Sequence, residues 1–272
     1  MNRRLFCTLS PFTYKISIFK CRIIRYLQDI HIHSRFATKK SEELLPIVIY
    51  RHNSLIRRKL GNVNMELQEN KAVNLSLAAP KISNVLIRPG EIFSFWKLVG
   101  PCTASKGYKE GLVIKKNEPD SGIGGGMCQF TNLIHWMVLH TDLEITEHHH
   151  HDRVDLFPDY NRQIPFGTGT SIFYNYLDYR FINNTANTYQ LITYTTDTHL
   201  CGEIRALHNQ NFRYHVHIED EFFSQESDGV YRNGNVYRRQ TDPATGNTLE
   251  EKLIRHNHAR VAYDASGLCI KK

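Results

Sequence analysis

Residues 122–130 read GIGGGMCQF, so four glycines stand just before a single cysteine. The residues after Cys128 repeat apolar side chains at spacings of three and four, which predicts a buried helix that begins there. The N–H groups at a helix start attract anions and lower the pKa of a thiol, so Cys128 is predicted to be a nucleophile near neutral pH. The same N–H groups would hold the oxyanion of an acyl-transfer intermediate, and Gly124, Gly125 and Gly126 would let a substrate approach the main chain.

A nucleophilic cysteine needs a base, and the segment LEITEHHHH supplies four consecutive histidines at the end of a predicted strand. Alternation along that strand sends His149 and His151 to one face, opposite His148 and His150. Three acids stand where one would orient the base, and spacing does not select among them: Asp152, Asp155 and Asp178.

Two other interpretations of the same residues stay open. A cysteine at a buried helix start is in most proteins a small core residue. A strand pair such as His149 and His151, together with Cys128 or an aspartate, would instead bind a zinc ion. No cofactor is expected for the catalytic interpretation, and zinc belongs to the alternative.

The composition is that of a folded protein, with 272 residues of which 41% are hydrophobic and 22% charged. The net charge is +7, and the first forty residues carry much of the excess, which favours an anionic neighbour such as a membrane surface or a wall polymer. No nucleic-acid reading motif is present, so no nucleic acid is expected as a partner. The six cysteines stand singly and are interpreted as mostly free thiols.

The N-terminal segment has apolar residues at helical spacing from Ile16 to Leu27, with basic residues between them. Such a helix lies on an anionic membrane, or it docks on its own domain with a solvated basic face. Polar residues interrupt any signal-peptide core and no apolar stretch approaches the ~20 residues of a membrane span. A cytoplasmic or membrane-associated location is therefore expected.

The predicted fold class is α+β, with N-terminal helices, one buried central helix beginning at Cys128, and antiparallel sheet around and after it. A basic helical segment at 1–45 would precede a domain at 46–200 and a β-rich extension at 201–272. A turn at Pro89 and Gly90 would join two strands, and Asn233 with Gly234 predicts a hairpin turn.

Five motifs in order resemble the signature of the VanW family, and together they span about residues 40–195. They are PGEIFSFW at 89–96, GY at 107–108, GGGMCQF at 124–130, TEHHHHD at 146–152 and LDYRFINNT at 177–185.

The resemblance implies a protein of the bacterial cell wall associated with glycopeptide resistance. Some members of the family look like noncanonical L,D-transpeptidases, which implies acyl transfer on stem peptides of peptidoglycan or its precursors. A non-enzymatic module that binds wall peptide or a metal is the alternative.

Carried over residue by residue, the resemblance places the family's site residues on Cys128, Gln129, Glu147, His149 and His151. The sequence departs from the family pattern at His148, where arginine is usual, and at Gly169, where many members have aspartate. The missing acid leaves Asp178 as the preferred group to orient the base.

Overall fold

The computed structural model describes residues 5–58, 64–115, 118–150, 154–155 and 164–271. Its α-helices are α1 (Pro11–His31), α2 (Met65–Ile82), α3 (Phe95–Val99) and α4 (Met127–Val138). Its strands are β1 (Ile47–Leu55), β2 (Val85–Ile87), β3 (Ile92–Ser94), β4 (Glu110–Lys115), β5 (Glu118–Ile123), β6 (Glu144–Glu147), β7 (Val154–Asp155), β8 (Arg180–Ile182), β9 (Tyr189–Thr195), β10 (His199–Ala206), β11 (Arg213–Glu226), β12 (Gly229–Thr241), β13 (Thr248–Val261) and β14 (Ile270–Lys271).

The strands form four sheets, and the predicted α+β class is confirmed. One sheet has the order β1-β10-β9-β2 and another the order β3-β8-β6, and both are antiparallel throughout. Strands β4 and β5 pair by themselves. The C-terminal sheet has the order β14-β11-β12-β13-β7, with long antiparallel central strands and short parallel strands at both edges.

Local sequence explains where the long helices begin. Ser10 and Thr13 form a reciprocal capping box at the start of α1, and Pro11 occupies the first turn, where its missing N–H costs nothing. Asn64 caps α2 by accepting from the N–H of Glu66. None of the described helices is both long and apolar enough to cross a bilayer.

Helix α4 is the centre of the main core, as its sequence pattern predicts. Phe130, Leu133, Ile134 and Met137 are each no more than 1% exposed. They pack beneath β10, where a Cβ on Gly202 would come within 2.5 Å of the Met137 side chain. The helix begins one residue before the predicted start and ends at Val138.

The C-terminal sheet packs against the C-terminal end of α4. Trp136 and Leu139 form a small apolar cluster with Val216 and Val236 of the sheet. The guanidinium of Arg238 donates to the carbonyls that follow the helix, which satisfies acceptors that a helix end leaves unpaired. Strand β10 runs from residue 199 to 206 within the first sheet, across the division predicted at 200.

The turn predicted at Gly90 and the hairpin turn predicted at Gly234 have different outcomes in the structure. Gly90 has a φ of +79°, as a tight turn requires, but β2 and β3 on either side of it join different sheets. The hairpin turn predicted at Asn233 and Gly234 is wrong, because both residues lie inside β12. A Cβ on Gly234 would come within 2.8 Å of Ile218 on the neighbouring strand, so close packing explains the glycine.

A buried histidine makes the fold sensitive to acid. The ring of His140 stacks on Tyr50 with centroids 3.8 Å apart, and burial lowers its pKa to about 4. An unfolded histidine titrates near ~6.5, so the unfolded chain binds the proton more tightly and the free energy of unfolding falls as pH drops from about 6.5 to about 4. We expect a loss of about 3 kcal/mol from this residue, measured by urea unfolding across that window.

The variant His140→Gln removes the titrating group and is expected to flatten this part of the pH profile. His31→Gln, at the exposed end of α1, is the matched control and should leave the profile unchanged. An equal acid loss in His140→Gln and the native chain would contradict the assignment to His140.

Candidate functional site

A cavity of about 1450 Å³ opens beside the start of α4. The glycine run, the first turns of α4 and the loop at 166–174 form part of its wall. The side chains on this wall that bear on chemistry are Arg22, Arg57, Arg58, Lys71, Cys128, Asn132, His150 and Asp155.

The glycines before α4 are required by protein packing. A Cβ on Gly125 would lie 2.2 Å from the carbonyl carbon of Gly111 on β4, so the two backbones touch directly. A Cβ on Gly124 would strike Cys102, and one on Gly126 would strike the stem of Lys71, both at 2.4 Å. The close approach that the sequence predicts is made here by the protein's own chain.

Of the three glycines predicted to face the substrate, Gly124 and Gly125 have N–H groups that are already occupied. Gly124 donates to the carbonyl of Lys109, and Gly125 donates to that of Gly122. The donors left to face an oxyanion are the N–H groups of Gly126, Met127 and Cys128, because a helix does not pair its first N–H groups internally.

Cys128 lies on the cavity wall at the second residue of α4 and is partly exposed. Burial by the surrounding protein raises the pKa of its thiol, and this outweighs the hydrogen bond from the backbone of Ile172. The sequence prediction of a lowered thiol pKa is therefore wrong. A nucleophilic Cys128 needs a nearby group that takes the proton.

The histidine run divides between two sides of the chain. The rings of His148 and His150 share one side with centroids 6.2 Å apart, whereas His149 turns away and bonds Glu147 at 2.9 Å. The structure places His150 on the cavity wall with Cys128 and does not place His149 there. His151 lies outside the described residues.

His150 is held at its Nδ1 atom by Arg255, whose Nη2 lies 3.3 Å away. Arginine only donates, so Nδ1 accepts and a neutral His150 ring carries its proton on Nε2. That Nε2 atom lies 3.7 Å from where a Cβ of Gly169 would stand. In a neutral His150 the N–H group is therefore at Nε2.

Asn132 and Thr170 join the site although sequence reasoning missed them. Asn132 lies one turn after Cys128, and its Oδ1 accepts from the N–H of Thr170 at 2.6 Å. The Thr170 hydroxyl also donates to the carbonyl of Cys128 at 3.4 Å. The spacing of four from Cys128 to Asn132 is the one sequence signal that puts the amide on the same helix face.

Glu147 and Asp178 belong to a buried ion network. Asp178 accepts from Arg180, from Ser94 and from the backbone of Trp96, and Glu147 accepts from the backbone N–H of Asp178. Asp178 is 1% exposed, and the side chains that bond its carboxylate are those of Ser94 and Arg180. The role of orienting a base is unsupported by these contacts, which instead fix the end of β6 to β8.

Gln129 and Lys71 flank the helix start. The Gln129 amide donates to the hydroxyl of Ser54 at 2.8 Å and to the carbonyl of Leu55 at 2.9 Å, which ties α4 to β1. Lys71 is 6% exposed, and its ammonium donates to Gln68 Oε1 at 2.6 Å. Burial, aided by Arg58, lowers the pKa of Lys71 to about 8.

The alternative zinc set of Cys128, His149 and His151 includes a residue outside the described part of the chain and stays a prediction. Within the described ranges, the three-residue group whose ligand atoms lie within 4.8 Å of one another is His217, Glu219 and Glu251 on the C-terminal sheet.

The contact between Gly125 and Gly111 predicts that one methyl group added at residue 125 lowers the free energy of unfolding. Gly125→Ala places a Cβ inside the Gly111 backbone, so we expect a loss of about 1–3 kcal/mol in the free energy of unfolding, as for other overpacked cores. Gly267→Ala, whose Cβ would meet nothing within 4 Å, is the control and should cost little. Equal midpoints for both variants in urea unfolding would contradict the contact.

Known proteins share this sequence over long stretches. The family model VanW like protein matches residues 70–205. Vancomycin B-type resistance protein VanW of Enterococcus faecalis (strain ATCC 700802 / V583) is 30% identical over 263 residues, which cover 97% of this chain and 95% of that protein. Uncharacterized protein YoaR of Bacillus subtilis (strain 168) is 33% identical over 115 residues, 42% of this chain and 36% of YoaR. No solved structure matches the chain. With the signature motifs on the elements described above, the chain belongs to the VanW family.

Proposed function

We propose that this protein acts in glycopeptide resistance at the bacterial cell wall by cysteine-dependent acyl transfer, with peptidoglycan stem peptides or their precursors as substrate. The link to resistance comes from the enterococcal relative, a vancomycin B-type resistance protein that aligns over nearly the full length of both chains. The observation that carries the chemistry is Cys128 at a helix start, on the wall of a cavity of about 1450 Å³.

The charge of the cavity favours an anionic peptide. Four cationic side chains line it, Arg22, Arg57, Arg58 and Lys71, and of these Arg57 is paired with Glu69. The carboxylate among its described lining residues is Asp155, which is already paired with Arg232 and Tyr263. A stem peptide with free carboxylates suits this excess of positive charge.

The first step needs a proton acceptor for the thiol, and Lys71 fits that role better than a histidine. Its stem packs on Gly126, two residues before Cys128, and its pKa of about 8 leaves part of the amine neutral near neutral pH. Lys71 would take the proton as Cys128 Sγ attacks the peptide carbonyl. The developing oxyanion would be held by the N–H groups at the start of α4.

The remaining steps balance without any further reagent. The C–N bond of the donor peptide breaks, the leaving amine takes the proton from Lys71, and a thioester remains on Cys128. The amine of a second stem then attacks the thioester carbonyl, a new C–N bond forms, and the sulfur leaves and regains a proton. Hydrolysis would follow the same path with water as the acceptor.

A second function is favoured by one specific observation. The raised pKa of the Cys128 thiol fits a non-enzymatic module that binds wall peptide in the same cationic cavity. Such a module would retain peptide binding when the thiol is removed.

The decisive experiment is intact-protein mass spectrometry after incubation with tetrapeptide-containing muropeptides. We expect the native chain to gain the mass of an acyl group that hydroxylamine removes, and Cys128→Ala to gain none. Cys21→Ala, which removes an exposed cysteine on α1, is the control and should form the adduct normally. Binding of muropeptide without an adduct, equal in the native chain and in Cys128→Ala, would favour the binding module.

Two substitutions distinguish the role of Lys71 as a general base from the role of its positive charge. Arginine keeps the charge but does not lose its proton, so Lys71→Arg should reduce adduct formation at least about tenfold, as loss of a general base does, at every pH tested. Lys71→Met should remove both properties. In the native chain the rate should rise with pH through about 8, because deprotonation of Lys71 creates the base.

Alkylation of Cys128 by iodoacetamide at high pH shows that the thiol is intact and accessible, and the thermal midpoint of each variant is the folding control. A Lys71→Arg variant that alkylates and acylates like the native chain would remove Lys71 from the mechanism.

A further inference from the structure

Helix α1 carries a continuous apolar stripe on its outer surface. At 100° per residue, one third of the helix circumference holds seven large apolar side chains, each between 41% and 71% exposed. They are Phe12, Ile16, Phe19, Ile23, Tyr26, Leu27 and Ile30. Three more, Leu5, Phe6 and Leu9, are exposed by 54% or more just before the helix.

The basic side of α1, rather than its apolar side, holds the helix on the protein. Arg25 donates to Glu147 at 2.6 Å, and Arg22 donates to the carbonyl of Tyr174 at 3.3 Å. Asp29 accepts two hydrogen bonds from Arg180 at 2.7 and 2.9 Å. Docking through charges leaves the apolar stripe turned outward, the reverse of a helix that packs on its domain by apolar burial.

Two lysines border the stripe. Lys15 and Lys20 fall on its two sides when the helix is projected down its axis, and both are exposed. Asp29 is the one acid in α1, and Arg180 holds it. A second copy of α1 therefore brings more positive charge and no free carboxylate, whereas anionic lipid offers both an apolar interior and the opposite charge.

We propose that α1 lies in the surface of an anionic membrane, with the stripe of Phe12 to Ile30 among the acyl chains and Lys15 and Lys20 among the headgroups. Arg22 places α1 next to the cavity, because it belongs to α1 and also lines the cavity of Cys128. The cavity then opens next to the bilayer, where it meets substrates that carry a lipid anchor. The membrane contact itself does not depend on the acyl-transfer proposal.

The test is co-sedimentation of the full chain with vesicles, in the absence of muropeptide. One vesicle is phosphatidylcholine alone, and the other is phosphatidylcholine mixed with phosphatidylglycerol. We expect binding to the mixed vesicles that weakens with salt, and a loss of about tenfold or more in Phe19→Glu/Ile23→Glu. Lys15→Gln/Lys20→Gln should lose the preference for the anionic vesicle.

The matched control is Leu249→Glu/Leu253→Glu, which makes the same chemical change at two exposed apolar residues of β13 and should bind like the native chain. Both double variants alter exposed side chains, so their thermal midpoints should match. Native binding by Phe19→Glu/Ile23→Glu would overturn the proposal. So would a native dimer in light scattering that this variant converts to a monomer, because the stripe would then belong to a second copy.

Discussion

A guanidinium buried between two carboxylates is the constraint on which this arrangement depends. Arg180 is 7% exposed, and it is bonded to Asp29 of α1 and to Asp178 of its own segment. A buried charge is costly without partners, so the three groups must come together or the fold loses several kcal/mol. The pairing fixes α1 against β8, and through Glu147 it also fixes the segment that carries the histidines.

The same network explains why part of the site could not be predicted from the sequence. Spacing separates His149 from His148 and His150 as the structure does, although β6 ends at Glu147, but it does not say which side of the chain faces the cavity. Glu147, which belongs to the ion network, is hydrogen-bonded to His149, whereas His150 lines the cavity. Lys71 and Arg255 come from distant parts of the chain, and only tertiary structure brings them to the site.

Periodic elements were predictable because their signal is local. The apolar spacing after Cys128 predicts α4 to within one residue at its start, and the α+β class follows from the element pattern. The glycine run and Gly234 show the limit of such reasoning. Glycine reports that something is close to the backbone, but whether it is a substrate, a turn or another strand depends on contacts far away in sequence.

Gly169 lies beside His150 and Asn132 in the site and has no side chain to contact them. The direction in which a side chain would leave its Cα leads toward Nε2 of His150 and Oδ1 of Asn132, at ordinary contact distances of 3.7 and 3.9 Å. A carboxylate introduced there would accept a hydrogen bond from Nε2 of His150 and add a negative charge to the cavity wall. One position in a loop therefore sets the charge beside His150, and glycine at that position adds none.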